Sequence, residues 1–242
     1  MKAILVECDP GKSLGGSCMR DVNNVAKFII DRGLSTARNV VILTTSRVVE
    51  RINGCEYEDS RNLISVLNNV VLGECERLVI LISGHGYSIR DVDGDEIDSR
   101  DECINVGFQI TDDMIYESLI KKFATRTDIK MLLLSDTCHS GTMFDLPFCI
   151  IAGNNTNIKN TKRNDVIKFN ALGLSACSDQ QLSMCDIGNN AGFGGSLTVA
   201  LLEYPDIFQK LILGEYDVDL TNISKRLKLL NQTMIISKAS II

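Results

Sequence analysis

Five short apolar runs recur along the chain. They span residues 3–6, 40–43, 78–82, 131–134 and 171–174. Runs of this length that are apolar at nearly every position are typical of strands buried on both faces of a sheet. Because such sheets are covered by helices on both sides, this pattern constrains the fold more than any other feature of the sequence.

The segments between these runs carry helical patterns. In residues 21–32 the apolar positions recur at helical spacing, and Gly33 supplies a C-terminal stop. Further helices are predicted at 60–72, 112–123, 196–202 and 220–230. The alternation predicts an α/β fold, a three-layer sandwich whose central sheet is mostly parallel and flanked by helices. In such folds ligands bind beyond the carboxyl ends of the strands.

The composition excludes several classes of protein. The chain has 242 residues, 45% of them hydrophobic and 23% charged, which suffices for a substantial core. Its longest apolar run is far shorter than the ~20 residues that span a bilayer, and the N-terminus lacks the long apolar segment of a signal peptide. With 25 basic and 31 acidic residues, no basic face is expected for nucleic acid. Nine cysteines, an odd number without CxxC pairs, predict reduced thiols and a cytoplasmic location.

One polar segment divides the chain. Residues 154–164 read NNTNIKNTKRN, with no apolar periodicity, and are predicted to form an exposed loop or linker. We therefore expect a larger N-terminal region over residues 1–153, a linker over 154–168 and a smaller C-terminal region over 169–242, together forming one compact domain.

Two predicted strands end in residues suited to nucleophilic catalysis. His85 follows LVILISG, and Cys138 and His139 follow MLLLSDT. A neighbouring imidazole can take the proton of a thiol and later donate it to a leaving amine, and the amide of Gly86 could donate to an oxyanion. Each residue alone is more simply a strand-end histidine or a buried thiol, but their joint position at one sheet edge favours catalysis. His139, adjacent to the thiol, is expected to point away.

Three motifs resemble those of the metacaspases, cysteine peptidases of the caspase-like clan. They are SGHG at 83–86, the acidic DVDGDEIDSRDE at 91–102 and DTCHSG at 136–141. The resemblance extends from about residue 3 to 203, with SACSDQQLS and GGSLTVALLE matching the small-subunit region. It implies a caspase-like sandwich, a nucleophile at Cys138, a general base at His85, cleavage of proteins or peptides after Arg or Lys, and a monomer.

The predicted substrate pocket is acidic. Asp136 lies two residues before Cys138 and alternates with it along the strand end, so its carboxylate could pair with a guanidinium or ammonium group. The resemblance adds Ser83, Cys18 and Asp21 as pocket residues. On sequence grounds Asp21 is equally suited to cap the N-terminus of a helix.

An acidic stretch suggests a cation. Residues 91–102 contain seven acids and one base, and calcium is the natural ion for flexible all-oxygen coordination. An EF-hand is disfavoured because its loop requires Gly where Glu96 stands. The resemblance implies a calcium ligand set composed of Asp101, Asp112, Asp113 and Asp145. The alternative is a solvated acidic loop and two aspartates favoured by a helix N-terminus.

The linker contains basic residues that match the implied specificity. Lys159, Lys162 and Arg163 are candidate sites of self-cleavage, and an uncut surface loop is the alternative. The sequence thus predicts a calcium-stimulated cysteine endopeptidase with possible autoprocessing in the linker. The competing hypothesis is an inactive caspase-like scaffold that binds calcium or peptides.

Overall fold

A central sheet organises the computed structural model, which describes residues 1–45, 51–74, 76–92, 94–153, 158–159, 161–188 and 192–240. Its strands and those of two smaller sheets are β1 Lys2–Cys8, β2 Val40–Leu43, β3 Glu56–Glu58, β4 Arg77–Gly84, β5 Gly86–Arg90, β6 Arg100–Asn105, β7 Gln109–Thr111, β8 Lys130–Thr137, β9 Phe148–Ile151, β10 Ile158–Lys159, β11 Asn170–Ser175, β12 Cys185–Gly188, β13 Gly192–Gly195 and β14 Ile235–Lys238. The helices are α1 Ser17–Asp31, α2 Leu63–Asn69, α3 Asp112–Ile115, α4 Lys121–Phe123, α5 Ser196–Glu203, α6 Pro205–Ile212 and α7 Thr221–Lys228.

Within the described residues, the central sheet contains nine strands in the order β10-β9-β14-β11-β8-β4-β1-β2-β3. The six strands from β11 to β3 pair in parallel, whereas β14, β9 and β10 pair antiparallel at one edge. The sheet therefore joins strands from before and after the predicted linker. Residues 154–157 and 160 of that linker lie outside the described residues.

Apolar side chains pack on both faces of this sheet. Along β1, Ile4 belongs to the core beside α2 and the helical segment 112–123, whereas Leu5 belongs to the core beside α1 and α5–α7. This alternation follows from the two-residue period of a strand. It explains why the strands are apolar throughout, and it confirms the predicted three-layer α/β sandwich with a mostly parallel sheet.

Most predicted elements lie where the sequence places them. A continuous helical segment over 112–123 consists of α3, a π-helical turn at Tyr116–Ile120, and α4. Sequence periodicity missed α6 and the three-stranded sheet β5-β6-β7, which follows His85 and includes part of the acidic stretch. None of the described helices combines the length and hydropathy needed to cross a bilayer.

Candidate active site

Strands β4 and β8 carry the predicted catalytic residues to one edge of the sheet. The two strands pair in parallel, with Ser83 beside Asp136 and Gly84 beside Thr137. His85 follows the end of β4, and Cys138 follows the end of β8. Both residues therefore leave neighbouring strands at the carboxyl edge, where α/β sheets bind ligands.

Glycines allow the backbone to pack closely at this edge. Gly84 has a φ of 148°, and a Cβ there would lie 2.3 Å from the carbonyl oxygen of Cys8. A Cβ on Gly86 would lie 2.1 Å from the carbonyl oxygen of Cys138. Because neither position has room for a side chain, the two glycines allow the turn at His85 to pack directly against the backbone of Cys8 and Cys138.

A small cavity of about 50 Å³ unites the predicted catalytic and pocket residues. It is lined by Leu14, Ser17, Cys18, Asp21, Ser83, Gly84, His85, Asp136, Cys138, Ser183, Met184, Cys185 and Gly195. Gly86 lies behind the Cys138 carbonyl rather than among the lining residues. His139 also lies outside the lining, with its Nδ1 2.5 Å from the carbonyl oxygen of Asp179.

The Cys138 thiol is in a setting that disfavours its ionised form. Burial raises the pKa of Cys138, and the nearby Asp136 carboxylate raises it further. The thiol donates to the carbonyl oxygen of Ser183 across 3.8 Å. Since the thiolate is the nucleophilic species, this cysteine needs a base to remove its proton. His85, whose side chain is 29% exposed, is the histidine that lines the same cavity.

Asp136 lines the cavity, and each of its two carboxylate oxygens accepts a hydrogen bond. Its Oδ1 accepts a hydrogen bond from the Ser183 hydroxyl at 3.0 Å, and its Oδ2 accepts one from the Thr198 amide at 2.8 Å. Burial raises the pKa of Asp136 above its usual range. A Cβ on Gly195 would lie only 2.4 Å from Oδ2, so the end of β13 packs closely against this carboxylate.

Asp21 is the second buried carboxylate of the cavity. Its Oδ2 accepts from the Ser83 hydroxyl at 2.6 Å, and both of its oxygens lie 3.0 Å from the Gly195 amide nitrogen. Burial, followed by repulsion from Asp136, raises its pKa well above the usual range. The cap of α1 is Gly16, so the alternative that Asp21 serves as the N-cap is wrong. The side chain turns from the helix toward the cavity.

Cys18 completes the predicted pocket. Its side chain is buried beside Ser17, with 3.7 Å between the hydroxyl oxygen and the sulfur. Burial raises the pKa of Cys18 to about 12, so the residue contributes a neutral thiol. The structure thus gathers all four predicted pocket residues with His85 and Cys138 around one cavity.

The predicted calcium ligands fall into two neighbouring acidic groups. Carboxylate oxygens of Asp101, Asp112 and Asp113 lie within 4.8 Å of one another, and those of Asp95, Glu96 and Asp145 form a second such group. Burial, followed by repulsion from Asp145 and then Glu102, raises the pKa of Asp112 to about 10. Sequence reasoning did not single out Asp95 or Glu96 as members of the set, although both belong to the acidic stretch. Asp93 lies outside the described residues.

Arg163 bridges these two acidic groups. Its Nε lies 2.6 Å from Oδ2 of Asp95, and its guanidinium also pairs with Asp113 and, at 3.5 Å, with Asp145. The guanidinium lies 4.3 Å from the centre of the Tyr116 ring, and only 12% of the Arg163 side chain is exposed. The prediction of an exposed loop is therefore wrong at this residue, because its guanidinium pairs with carboxylates far away in sequence, of which Asp145 is buried.

The other two basic residues of the linker are more accessible. Lys159 lies exposed in β10. Lys162 is also exposed, although its amide donates to the Asp95 carbonyl at 2.7 Å and its Nζ donates to the Glu96 carbonyl at 2.6 Å. The described part of the linker is thus attached to the acidic stretch at residues 161–163.

Comparison with known proteins places these features in context. A family model described as "Metacaspase, peptidase C14 domain" matches residues 1–147. Metacaspase-1 of Yarrowia lipolytica is 34% identical over 156 residues, which cover 61% of this chain and 32% of the relative. Metacaspase-1 of Eremothecium gossypii is 33% identical over 138 residues, covering 54% of this chain and 29% of the relative. The chain thus spans about a third of the length of these relatives.

A solved structure shares the fold over the whole chain. The crystal structure of a protein from Geobacter sulfurreducens superposes with a TM-score of 0.60 and 22% sequence identity. The match covers 100% of this chain and 94% of the other. At this identity the similarity concerns the fold alone.

Proposed function

Because this chain belongs to the metacaspase family of cysteine peptidases, as its motifs predicted, we propose that it is an endopeptidase that cleaves after Arg or Lys. One observation supports this function above the others. The imidazole of His85 and the thiol of Cys138 line one cavity together with two buried carboxylates, Asp21 and Asp136. A thiol, a base and an acidic recess are the groups that such a reaction requires.

The proposed reaction follows the chemistry of an activated thiol. His85 takes the proton of Cys138, and the thiolate attacks the carbonyl carbon of the scissile bond. The resulting oxyanion is held by backbone amides near Gly86 and Cys138. The imidazolium of His85 then gives its proton to the leaving amine as the C–N bond breaks. Water, deprotonated by His85, attacks the acyl-enzyme and releases the thiol.

The specificity for basic residues rests on charge. Burial raises the pKa of both Asp21 and Asp136, and repulsion from Asp136 raises that of Asp21 further. A guanidinium or ammonium group between them would relieve that repulsion and form charge-assisted hydrogen bonds. A carboxylate side chain would offer these two carboxyls no opposite charge and would be repelled by whichever of them is ionised, so cleavage after Asp is disfavoured.

Calcium is the proposed cofactor, held by Asp101, Asp112, Asp113 and Asp145. The donors are carboxylate oxygens, which calcium prefers. Those of Asp101, Asp112 and Asp113 lie within 4.8 Å of one another, and Asp145 belongs to the second acidic group, which Arg163 links to the first. Glu96 beside them is 3% exposed, and its Oε1 accepts no hydrogen bond within the described residues. A divalent ion would neutralise this buried negative charge and hold the acidic stretch against α3.

Autoprocessing in the linker is part of the proposal. Lys159 and Lys162 have exposed side chains and are the more accessible candidate sites. Arg163 becomes a substrate only after its ion pairs with the acidic groups are broken. The alternative, an uncut surface loop, is tested by replacing all three residues with Ala. If the linker is cut as proposed, this variant should form no fragments, and unchanged fragment formation would contradict the proposal.

The proposed setting is a monomer in a reducing, cytoplasm-like compartment. The eight cysteines of the described residues are all unpaired thiols, which supports a compartment where disulfides are rare. Size-exclusion chromatography with light scattering tests the monomeric state, and a dimer would contradict it.

Fluorogenic peptides test the activity directly. Peptides that end in Arg, Lys or Asp before the fluorophore are assayed with calcium and with a chelator, and we expect cleavage only after the basic residues. Cys138→Ala should abolish it, whereas the matched control Cys55→Ala, remote from the cavity, should retain it. A chain that binds calcium or peptide but cuts none of these substrates would support the inactive scaffold instead.

A further inference from the structure

A buried aspartate lies beside the proposed catalytic histidine. Asp9 follows β1, whose last residue, Cys8, pairs with Gly84 at the end of β4. The amide of His85 donates to the Cys8 carbonyl at 2.9 Å. The ends of β1 and β4 therefore bring Asp9 and His85 together, and Asp9 is only 2% exposed.

The carboxylate of Asp9 is engaged by the loop that follows it. Its Oδ1 accepts from the amide of Ser13 at 2.9 Å and from the Ser13 hydroxyl at 3.2 Å. Its Oδ2 accepts from the amide of Leu14 at 3.0 Å. An ionised carboxylate can only accept hydrogen bonds, so the single hydroxyl hydrogen of Ser13 points toward Asp9.

The same hydroxyl also contacts the imidazole. The Oγ of Ser13 lies 2.6 Å from Nε2 of His85. With that hydrogen directed to Asp9, the oxygen would accept from Nε2, and Nε2 would then carry the ring hydrogen. A neutral imidazole has one N–H, so Nδ1 is left with its lone pair available as a base.

We infer that Asp9, acting through Ser13, is a positioning residue that holds His85 in the tautomer with hydrogen on Nε2. The Oδ1 of Asp9 lies 3.4 Å from Nε2, so its negative charge also faces the ring when it becomes an imidazolium. The inference rests on the proposed function, since it assigns to His85 the role of proton acceptor. Asp9 itself touches neither substrate nor thiol in this role.

Nitrogen NMR of the histidine rings tests the tautomer without any substrate. The chain contains two histidines, so ¹⁵N-histidine labelling gives two ring systems, which His139→Gln assigns. At a pH where both rings are neutral, we expect the His85 pattern of a protonated Nε2. Ser13→Ala and Asp9→Asn should both shift it toward the other tautomer or a mixture.

Controls separate positioning from folding. Asp206→Asn alters a side chain that is 91% exposed and should leave the His85 pattern unchanged. Ser13 is exposed, so Ser13→Ala decides the question even if Asp9→Asn fails to fold. A wild-type His85 protonated on Nδ1, or a pattern unchanged in Ser13→Ala, would overturn the inference.

Kinetics give a second readout that depends on the peptidase activity. We expect Asp9→Asn to lower kcat about 10- to 100-fold with KM within about twofold, as for loss of a group that orients a catalytic base. Ser13→Thr, which keeps the hydroxyl, should retain most activity. If wild-type protein cleaves no peptide, the proposed function fails, while the NMR result still decides the role of Asp9. Equal losses in kcat and affinity would contradict a positioning role.

Discussion

Arg163 forms an ion pair with Asp95, with 2.6 Å between Nε of the guanidinium and Oδ2 of the carboxylate. The same guanidinium pairs with Asp113 and Asp145, two of the proposed calcium ligands. The positively charged guanidinium of Arg163 thus lies among the carboxylates that a metal ion would use. Binding of calcium at these oxygens must therefore compete with Arg163.

Replacing this arginine should strengthen calcium binding. In Arg163→Gln we expect the Kd for calcium to fall about tenfold, equivalent to ~1.4 kcal/mol, because the ion no longer displaces a resident charge. Without calcium, the variant should lose about 1–3 kcal/mol of unfolding free energy, since these partly buried carboxylates lose their positively charged partner. Isothermal titration calorimetry and urea unfolding, both in a Cys138→Ala background, measure the two effects.

The control for this prediction is Arg226→Gln. Arg226 pairs with Glu203 at 3.1 Å, away from the acidic groups, so its loss should leave calcium affinity unchanged. An unchanged or weaker affinity in Arg163→Gln would mean that the arginine and the ion do not share their ligands.

The two pocket carboxylates should determine the preference for basic substrates. Asp136→Asn and Asp21→Asn should each lower kcat/KM for an Arg peptide by about 30- to 100-fold, which corresponds to a charged hydrogen bond of ~2–3 kcal/mol. Steady-state kinetics with Arg peptides check this value. A loss for only one variant would assign the pocket to that carboxylate alone.

The stability of the protein should fall as pH rises, through Asp21. Burial and Asp136 raise the pKa of Asp21 in the folded state, so the native protein binds more protons than the unfolded chain above the usual carboxyl range. The stability contributed by the protonated form is complete below the unfolded pKa and is lost as pH rises through the folded pKa. Asp21→Asn should reduce this slope. Urea unfolding between pH 4 and 8 in chelator measures it, and equal slopes in both proteins would contradict the prediction.

The turn after β4 should tolerate no side chain. Gly86→Ala should abolish peptide cleavage and lower the unfolding free energy by ~1–3 kcal/mol, because its Cβ would meet the backbone carbonyl of Cys138 at 2.1 Å. Gly11→Ala is the matched control, since no atom lies within 4 Å of its Cβ position. Circular dichroism and the peptide assay distinguish the two variants. Full activity in Gly86→Ala would show that the turn can shift without cost.

The sequence predicts the buried strands of the central sheet better than the elements that contain many charged residues. Strands β1, β4, β8 and β11 are visible because burial on both faces leaves them apolar throughout. The acidic stretch hides β6, since its carboxylates are stabilised by contacts with Arg163 and Thr142 rather than by local pattern. Such contacts between residues distant in sequence leave no periodic signal.

The residues of the candidate site also fall into those that the sequence predicts and those that it does not. His85, Cys138 and Asp136 could be placed because each follows or ends a strand recognisable in the sequence. Asp9 also follows a strand, but its proposed role depends on Ser13, whose hydroxyl contacts His85, 72 positions further along the chain. A position at the end of a predicted strand is visible in the sequence and identifies His85, Cys138 and Asp136. The contact between Asp9, Ser13 and His85 is visible only in the structure.

The interleaving of the central sheet determines what a cut in the linker could accomplish. Strand β14, from the C-terminal side, lies between β9, from the N-terminal side, and β11, and Gly195 closes over the carboxylate of Asp136. Two fragments produced by such a cut would remain interlocked, because separating them would expose the core and dismantle the pocket. Cleavage in the linker would therefore create a new C-terminus and a new N-terminus without separating the two fragments.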